Sequence, residues 1–390
     1  MKNKIINMTT LLGIVLAIVF GICFPNIIKE LSFLGTIYVN LLKFMIVPII
    51  FSSIVVTIYN SNKKKDRILL KAIIIFILMF LVSFLITAII SFIIMPGKGF
   101  KYDAVEWSGK IEKFSFSDII VNLFPTNIVS MFESGSLFSI IIFAFVSGFI
   151  AHKVENGESV IKFMDGVKNI FYKLLEYIMY LTPVGVFALL GTAIADYGDV
   201  IFGVGIKYIA MAYLCSLLVL LLVMLIPACI YGKISPIAYI KKMYKIWIMT
   251  LTTCSSQATL PTTIKVCNEE FNIPDKVTDI TVPLGCTIHM CGGAVSFALL
   301  AIFCSQLFSI DISFIKFLLM IVSALLINMA APGIPNGGIV IGASYLALLN
   351  IPLSFIGFYS GIYKLLDMAY TTLNVTGDVT ANIIINSKMR

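Results

Sequence analysis

The sequence predicts an all-α polytopic membrane protein, and three observations predict it. Apolar residues make up 59% of the chain and charged residues only 12%, with a mean hydropathy of +1.03, which excludes a soluble globule. Apolar runs of span length recur from residue 9 to residue 385, each comparable to the roughly 20 residues that a helix needs to cross a bilayer. In the C-terminal half those runs are broken twice by short Gly- and Pro-bearing tips, a pattern of re-entrant segments and not of soluble loops.

Taken in order, spans are expected near 9–28, 33–59, 68–95, 117–150, 168–193 and 200–231. The first follows Lys2 and Lys4, and Pro25-Asn26 behind it is not a small-residue cleavage site, so it reads as a retained span. Lys43 and Pro48 in the second predict snorkelling and a kink. The loop over 97–117, with Trp107, is polar and mixed in charge and is placed outside; Glu176 in the fifth run is placed near an interface. The 28 Lys and Arg against 20 acids are a topology signal, not a nucleic-acid one. Lys63, Lys64, Lys65 and Arg67 follow the second span and Lys241, Lys242 and Lys245 the sixth, whereas Asp196 and Asp199 follow the fifth. That asymmetry predicts a multi-pass protein of the plasma (cell inner) membrane with both termini cytoplasmic. Eight cysteines without a CxxC pair read as small packing residues.

After Lys245 a hairpin followed by a helix occurs twice, over 237–268 then 277–305 and over 313–350 then 353–385. Paired interrupted segments at corresponding positions of two repeats point to a transporter's binding site. The last segment carries Asp367, Tyr370, Asn374 and Asp378 at i, i+3, i+7 and i+11, one stripe of a helix, with the carboxylates about 16 Å apart. Acids at membrane depth are expensive and mark ion or substrate paths.

The first tip, with Ser255, Ser256 and Gln257, offers hydroxyls and free N–H groups suited to an anion such as a carboxylate. The second, with Gly333, Ile334, Pro335, Gly337 and Gly338, has almost no side-chain donors and suits close approach and lid movement. Between them Gly285, Gly292 and Gly293 are expected to weaken the seventh span and free carbonyls for a cation. His289 is a proton carrier or a neutral histidine bonded to backbone. Asp378 offers a hard oxygen ligand for Na⁺. Asp367 is a partner for a substrate ammonium, or a structural acid paired with Lys364.

Five stretches resemble the dicarboxylate/amino-acid:cation symporter family, that of the glutamate transporter homologues: MIVPIIFSSIVV over 45–56, SSQATLPTT over 255–263, PLGCTIHMCGG over 283–293, GIPNGG over 333–338 and LDMAYTTLNVTGD over 366–378. The resemblance implies eight transmembrane helices, two re-entrant helical hairpins, a homotrimer, and scaffold and transport domains moving as an elevator. The division implied is scaffold at 1–67 and 116–199, transport at 68–115 (with an outer loop) and 200–390. It also implies that Asp367 holds the substrate amino group, that Asn374 and the Ser255–Ser256 tip hold the α-carboxylate, and that Thr371 lies in the same pocket. Asp378 with carbonyls near Gly285 and Asn374 matches one sodium site; Thr287 and Met290 with the second-hairpin backbone match another.

The departures shape the expected function. Tyr370 stands where glutamate and aspartate carriers have an arginine, and Gly293 where they have a threonine, so a side-chain carboxylate would be left unpaired in a buried site. A third sodium site has lost its asparagine and aspartate to His289 and Cys291, and its hydroxyls to Phe76, Met79 and Phe80. The expectation is a secondary transporter, not an enzyme, that carries a neutral amino acid by cation symport with fewer sodium sites. Coupling by H⁺ through His289, a larger neutral substrate such as cystine, and a transport-inactive substrate-sensing relative are the alternatives. Expected partners are the small-molecule amino acid, the lipid bilayer and copies of the same chain, with no nucleic acid.

Overall fold

A computed structural model of the chain describes residues 2–62, 67–99, 126–133, 137–197, 200–328 and 337–388. Every regular element among them is helical, as so apolar a sequence requires: in lipid only a helix or a closed barrel satisfies its own backbone. Trp107, the cluster at 63–66, Asp199 and most of the second tip, with Gly333, Ile334 and Pro335, lie outside the described residues.

Helix α1 (Lys2–Cys23) meets α2 (Pro25–Glu30) at a sharp bend of 119°, where Pro25 removes a backbone donor. After α3 (Ser32–Asn62) and α4 (Arg67–Ile94), the fourth apolar run appears as α5 (Ile128–Glu133) and α6 (Leu137–Ile150). The fifth was expected as one span over 168–193. It is instead two helices, α7 (Gly157–Met179) and α8 (Thr182–Tyr197), because the turn at Tyr180 and Leu181 precedes Pro183 and starts a new helix there. Helix α9 (Val200–Val219) continues through a widened turn at Leu220–Leu225 into α10 (Ile226–Gly232). Among the described residues three stretches are long and apolar enough to cross a membrane, Leu70–Ile94, Gly203–Gly232 and Asp275–Leu307, the last interrupted at His289 and Met290, and the bent pair Leu12–Cys23 and Pro25–Tyr38 makes a fourth.

The first hairpin is α11 (Pro236–Thr253) and α12 (Ser256–Lys265). Its tip is shorter than expected: only Cys254, in a left-handed conformation (φ 49°), and Ser255 separate the two arms. Its base is tied by Lys242, which donates to the Glu270 carbonyl, and by Lys245, 3.1 Å from the Glu270 carboxylate. Then come α13 (Asp275–Ile288) and α14 (Cys291–Leu307), α15 (Phe314–Asn328) and α16 (Gly337–Leu348) as arms of the second hairpin, and α17 (Ile356–Ser387).

Helices α1, α2, α3, α6, α7 and α8 pack mainly on one another. Helix α17 packs on α8, α9, α10, α11, α13 and α14, and α4 lies against α14. From Leu373 to Asn386 every residue of α17 is buried, so the polar stripe is not its only inward face. Polar bonds to α11 and α13 hold the helix. Trp247 Nε1 donates to Thr376 (2.9 Å), and Tyr239 and Thr380 hydroxyls lie 3.1 Å apart. Thr281 donates to Asn382 Oδ1 (2.7 Å), whose amide donates to Thr278 (3.1 Å). Such bonds are worth about 0.6 kcal/mol each between membrane helices.

Candidate substrate and ion site

The tip of the first hairpin, the break between α13 and α14, both arms of the second hairpin and the middle of α17 enclose one cavity of about 540 Å³, its mouth included. Helix α17 supplies Tyr363, Asp367, Tyr370, Thr371 and Asn374. The first tip supplies Cys254 and Ser256, and α14 with the residue before it gives Met290, Gly293, Ser296 and Phe297. Asn328 comes from the end of α15, with Gly338 and Ile341 from α16.

Asp367 is 7% exposed and accepts a hydrogen bond from Thr371 Oγ1 (3.0 Å). Among the lining residues it is the sole acid, and none is Lys or Arg. Asn374 Oδ1 accepts from the Gly292 backbone N–H (2.8 Å), which turns its amide N–H₂, a donor pair, to the cavity side. Ser255 caps α12, its hydroxyl oxygen accepting from the Ala258 N–H (3.3 Å). A ten-residue helix thus begins at the cavity wall, where its first N–H groups favour an anion. The arrangement offers one carboxylate for a cationic group and, on the other side, amide and helix-end donors for a carboxylate.

Not every expected residue reaches the cavity. Gln257 is exposed: with Ser255 as the cap, its position in the first turn of α12 turns the side chain away from the lining. The break in the seventh span falls at His289 and Met290, within the expected stretch, but the Gly285 carbonyl is not freed, because it accepts the His289 N–H (2.9 Å). The Met290 carbonyl likewise takes the Ala294 N–H (3.1 Å), while its side chain lines the cavity. Nor is α17 weakened at Asn374, for the helix is continuous from Ile356 to Ser387. Thr287 lies in the last turn of α13, and its side chain is outside the described residues.

Asp378, 2% exposed, faces α13 and not the hairpin tips. Its Oδ1 lies 2.8 Å from His289 Nδ1, and His289 Nε2 lies 3.0 Å from Cys291 Sγ. With the carboxylate ionised, Nδ1 donates to it and Nε2 accepts the thiol proton, one consistent neutral tautomer. Phe76 stacks on the ring at 4.5 Å, and a Cβ on Gly285 would collide with the carboxylate. Asp378 Oδ1 thus takes the imidazole, and Phe76, Met79 and Phe80, all buried, add no oxygen ligand beside it. His152, the other histidine, stacks on Tyr59 at 4.1 Å and bonds to the Tyr59 carbonyl, far from this site in the fold.

The sequence reading missed Asn328, Ser296, Phe297, Tyr363 and Cys254. Only Asn328 carried a signal, an amide ending an apolar arm directly before the Pro- and Gly-rich tip. Cys254 sits at the hairpin tip, and the others come from helix faces that only packing selects.

The chain matches the sodium:dicarboxylate symporter family over residues 6–388. It is 27% identical over 397 residues to a proton/glutamate-aspartate symporter of Bacillus subtilis (strain 168), covering 98% of this chain and 95% of the relative. It is 27% identical over 390 residues to a proton/sodium-glutamate symport protein of Bacillus caldotenax (96% and 92% covered), and 25% over 396 residues to a C4-dicarboxylate transport protein of Bacillus subtilis (98% and 93%).

Proposed function

The chain belongs to the sodium:dicarboxylate symporter family, a family of membrane transporters and not of enzymes, and from that premise we propose that it is a secondary transporter of a neutral amino acid. One observation carries the substrate class: the lining has a single acid, Asp367, and no Lys or Arg. A zwitterion is matched in such a site, its ammonium on Asp367 and its carboxylate on the Asn374 amide and the N-terminus of α12. A dicarboxylate or an acidic side chain would meet Tyr370 where a cation is needed, and a buried unpaired carboxylate is expensive. The relatives named for glutamate, aspartate or C4-dicarboxylates favour the acidic alternative on likeness alone.

The test is uptake of radiolabelled amino acids into proteoliposomes. Neutral amino acids are expected to be carried, and aspartate, glutamate and succinate not. Asp367→Asn is expected to lower uptake at limiting substrate about 10- to 100-fold, the range for losing a charged hydrogen bond. Undiminished uptake in that variant would remove the ammonium site.

The family couples transport to Na⁺ or H⁺. In the reading proposed here the His289–Asp378 pair takes the place of one cation, with H⁺ entry at His289 as the alternative. The proton alternative expects an imposed pH gradient to drive uptake without sodium, and His289→Asn to abolish it. Strict sodium dependence that survives the substitution overturns that alternative. Eight spans, two hairpins, a homotrimer and elevator movement complete the proposal. The moving part comprises residues 68–115 and 200–390, and the scaffold comprises 1–67 and 116–199. The packing of α17 on α9, α10, α11, α13 and α14 supports this division, with α17 on α8 and α16 on α3 as the contacts to the scaffold.

A further inference from the structure

Seven buried side-chain oxygens among the described residues have no hydrogen-bond partner, and two of them, Asn328 Oδ1 and Tyr370 Oη, belong to residues that line the cavity. Both residues are almost fully enclosed, at 1% and 3% exposure. A buried acceptor left unmade loses its full desolvation energy unless something else in the cavity satisfies it. Among the described lining residues Phe297 and Ile341 are apolar and Gly293 has no side chain, which leaves the Asn328 oxygen unpaired, whereas the Tyr370 hydroxyl has the Ser296 and Tyr208 hydroxyls as neighbours. Gly293 is also what admits the amide, because a Cβ there would run into Asn328 Oδ1. The missing side chain on α14 and the amide on α15 are thus one arrangement, an uncharged polar subsite built from two helices.

Resting on the neutral amino-acid reading above, we infer that Asn328, with the Tyr370 hydroxyl, is the specificity-determining group of this carrier. It selects substrates whose side chain bears an uncharged hydrogen-bond donor, an amide or a hydroxyl, over apolar side chains of the same shape. The chemistry is asymmetric in the useful direction. An apolar pocket discriminates weakly against an added hydroxyl, whereas a site with buried polar groups rejects the analogue that leaves them unpaired. A carboxylate side chain brings only acceptors and cannot satisfy the Asn328 oxygen.

Near-isosteric pairs test this: asparagine against leucine, and threonine against valine, as competitors of labelled uptake in proteoliposomes. Wild-type protein is expected to favour the polar member of each pair about tenfold or more, and Asn328→Leu to bring both ratios below about threefold. Should Asn328→Leu fail to fold, Tyr370→Phe, which removes one hydroxyl only, is expected to lower the threonine-over-valine ratio several-fold. Ratios near one in the wild type, or ratios unchanged in the variants, overturn the inference while leaving a neutral amino-acid carrier standing. Preference for aspartate, glutamate or succinate over every neutral amino acid overturns both readings together.

Discussion

Asp378 illustrates how strongly one side chain's surroundings constrain it. At 2% exposure its carboxylate has the His289 imidazole on Oδ1, with Phe76 closing the far face of the ring. Removing one member of a buried pair leaves the other unpaired and typically loses about 3–5 kcal/mol. His289→Leu is therefore expected to lower the melting temperature of the detergent-purified protein sharply. Asp378→Leu combined with it should recover part of that loss, since the two effects are coupled and not additive. Equal and additive losses would show that the 2.8 Å contact does not carry the energy. The spacing of Asp367, Tyr370, Asn374 and Asp378 put all four on one helix face, and all four are buried. What each one faces was not legible from spacing: Asp367 and Tyr370 meet the cavity, whereas Asp378, one further turn along from Asn374, meets α13.

At the scale of elements, the approach of α14 to α17 depends on Gly292. A Cβ there would sit against the Tyr370 carbonyl, which is backbone and cannot rotate away. Gly292→Ala is expected to destabilise the protein by at least about 1–3 kcal/mol, the usual range for overpacking, and to weaken substrate binding by moving the Asn374 amide. Gly166 in α7 is the contrast, with no atom within 4 Å of an added Cβ. Gly166→Ala should stabilise its helix by about 0.5–1 kcal/mol. Thermal unfolding of the two variants beside the wild type checks both signs. Hairpins and breaks were visible in the sequence as Pro- and Gly-bearing interruptions, but their lengths were not. The first tip shrank to Cys254 and Ser255 because an N-cap hydroxyl lets a helix begin at once, and nothing in the composition of 254–263 distinguishes a ten-residue loop from a capped helix.

At the scale of the molecule, the surplus of Lys and Arg beside the second and sixth spans predicts that those ends are cytoplasmic. A green fluorescent protein fused after Arg390 is therefore expected to fluoresce in a bacterial host, and a fused alkaline phosphatase to stay inactive. The reverse result would require an odd number of spans. Much of the remaining surface is apolar, with Ile93, Phe163, Ile206 and Phe314 each more than 60% exposed, as suits a protein whose surroundings are lipid.

The sequence by itself determined that the chain is helical, membrane-embedded and organised around its last apolar segment. Those properties follow from composition and from the periodicity of single segments, which need no knowledge of neighbours. The tertiary structure alone decided that Asn328 shares a cavity with Tyr370, that Gln257 stays outside it, and that His289 fills the place beside Asp378. The first and last of these are contacts between residues tens of positions apart in the chain, fixed by how closely glycine-bearing helices approach, and no local pattern encodes that distance.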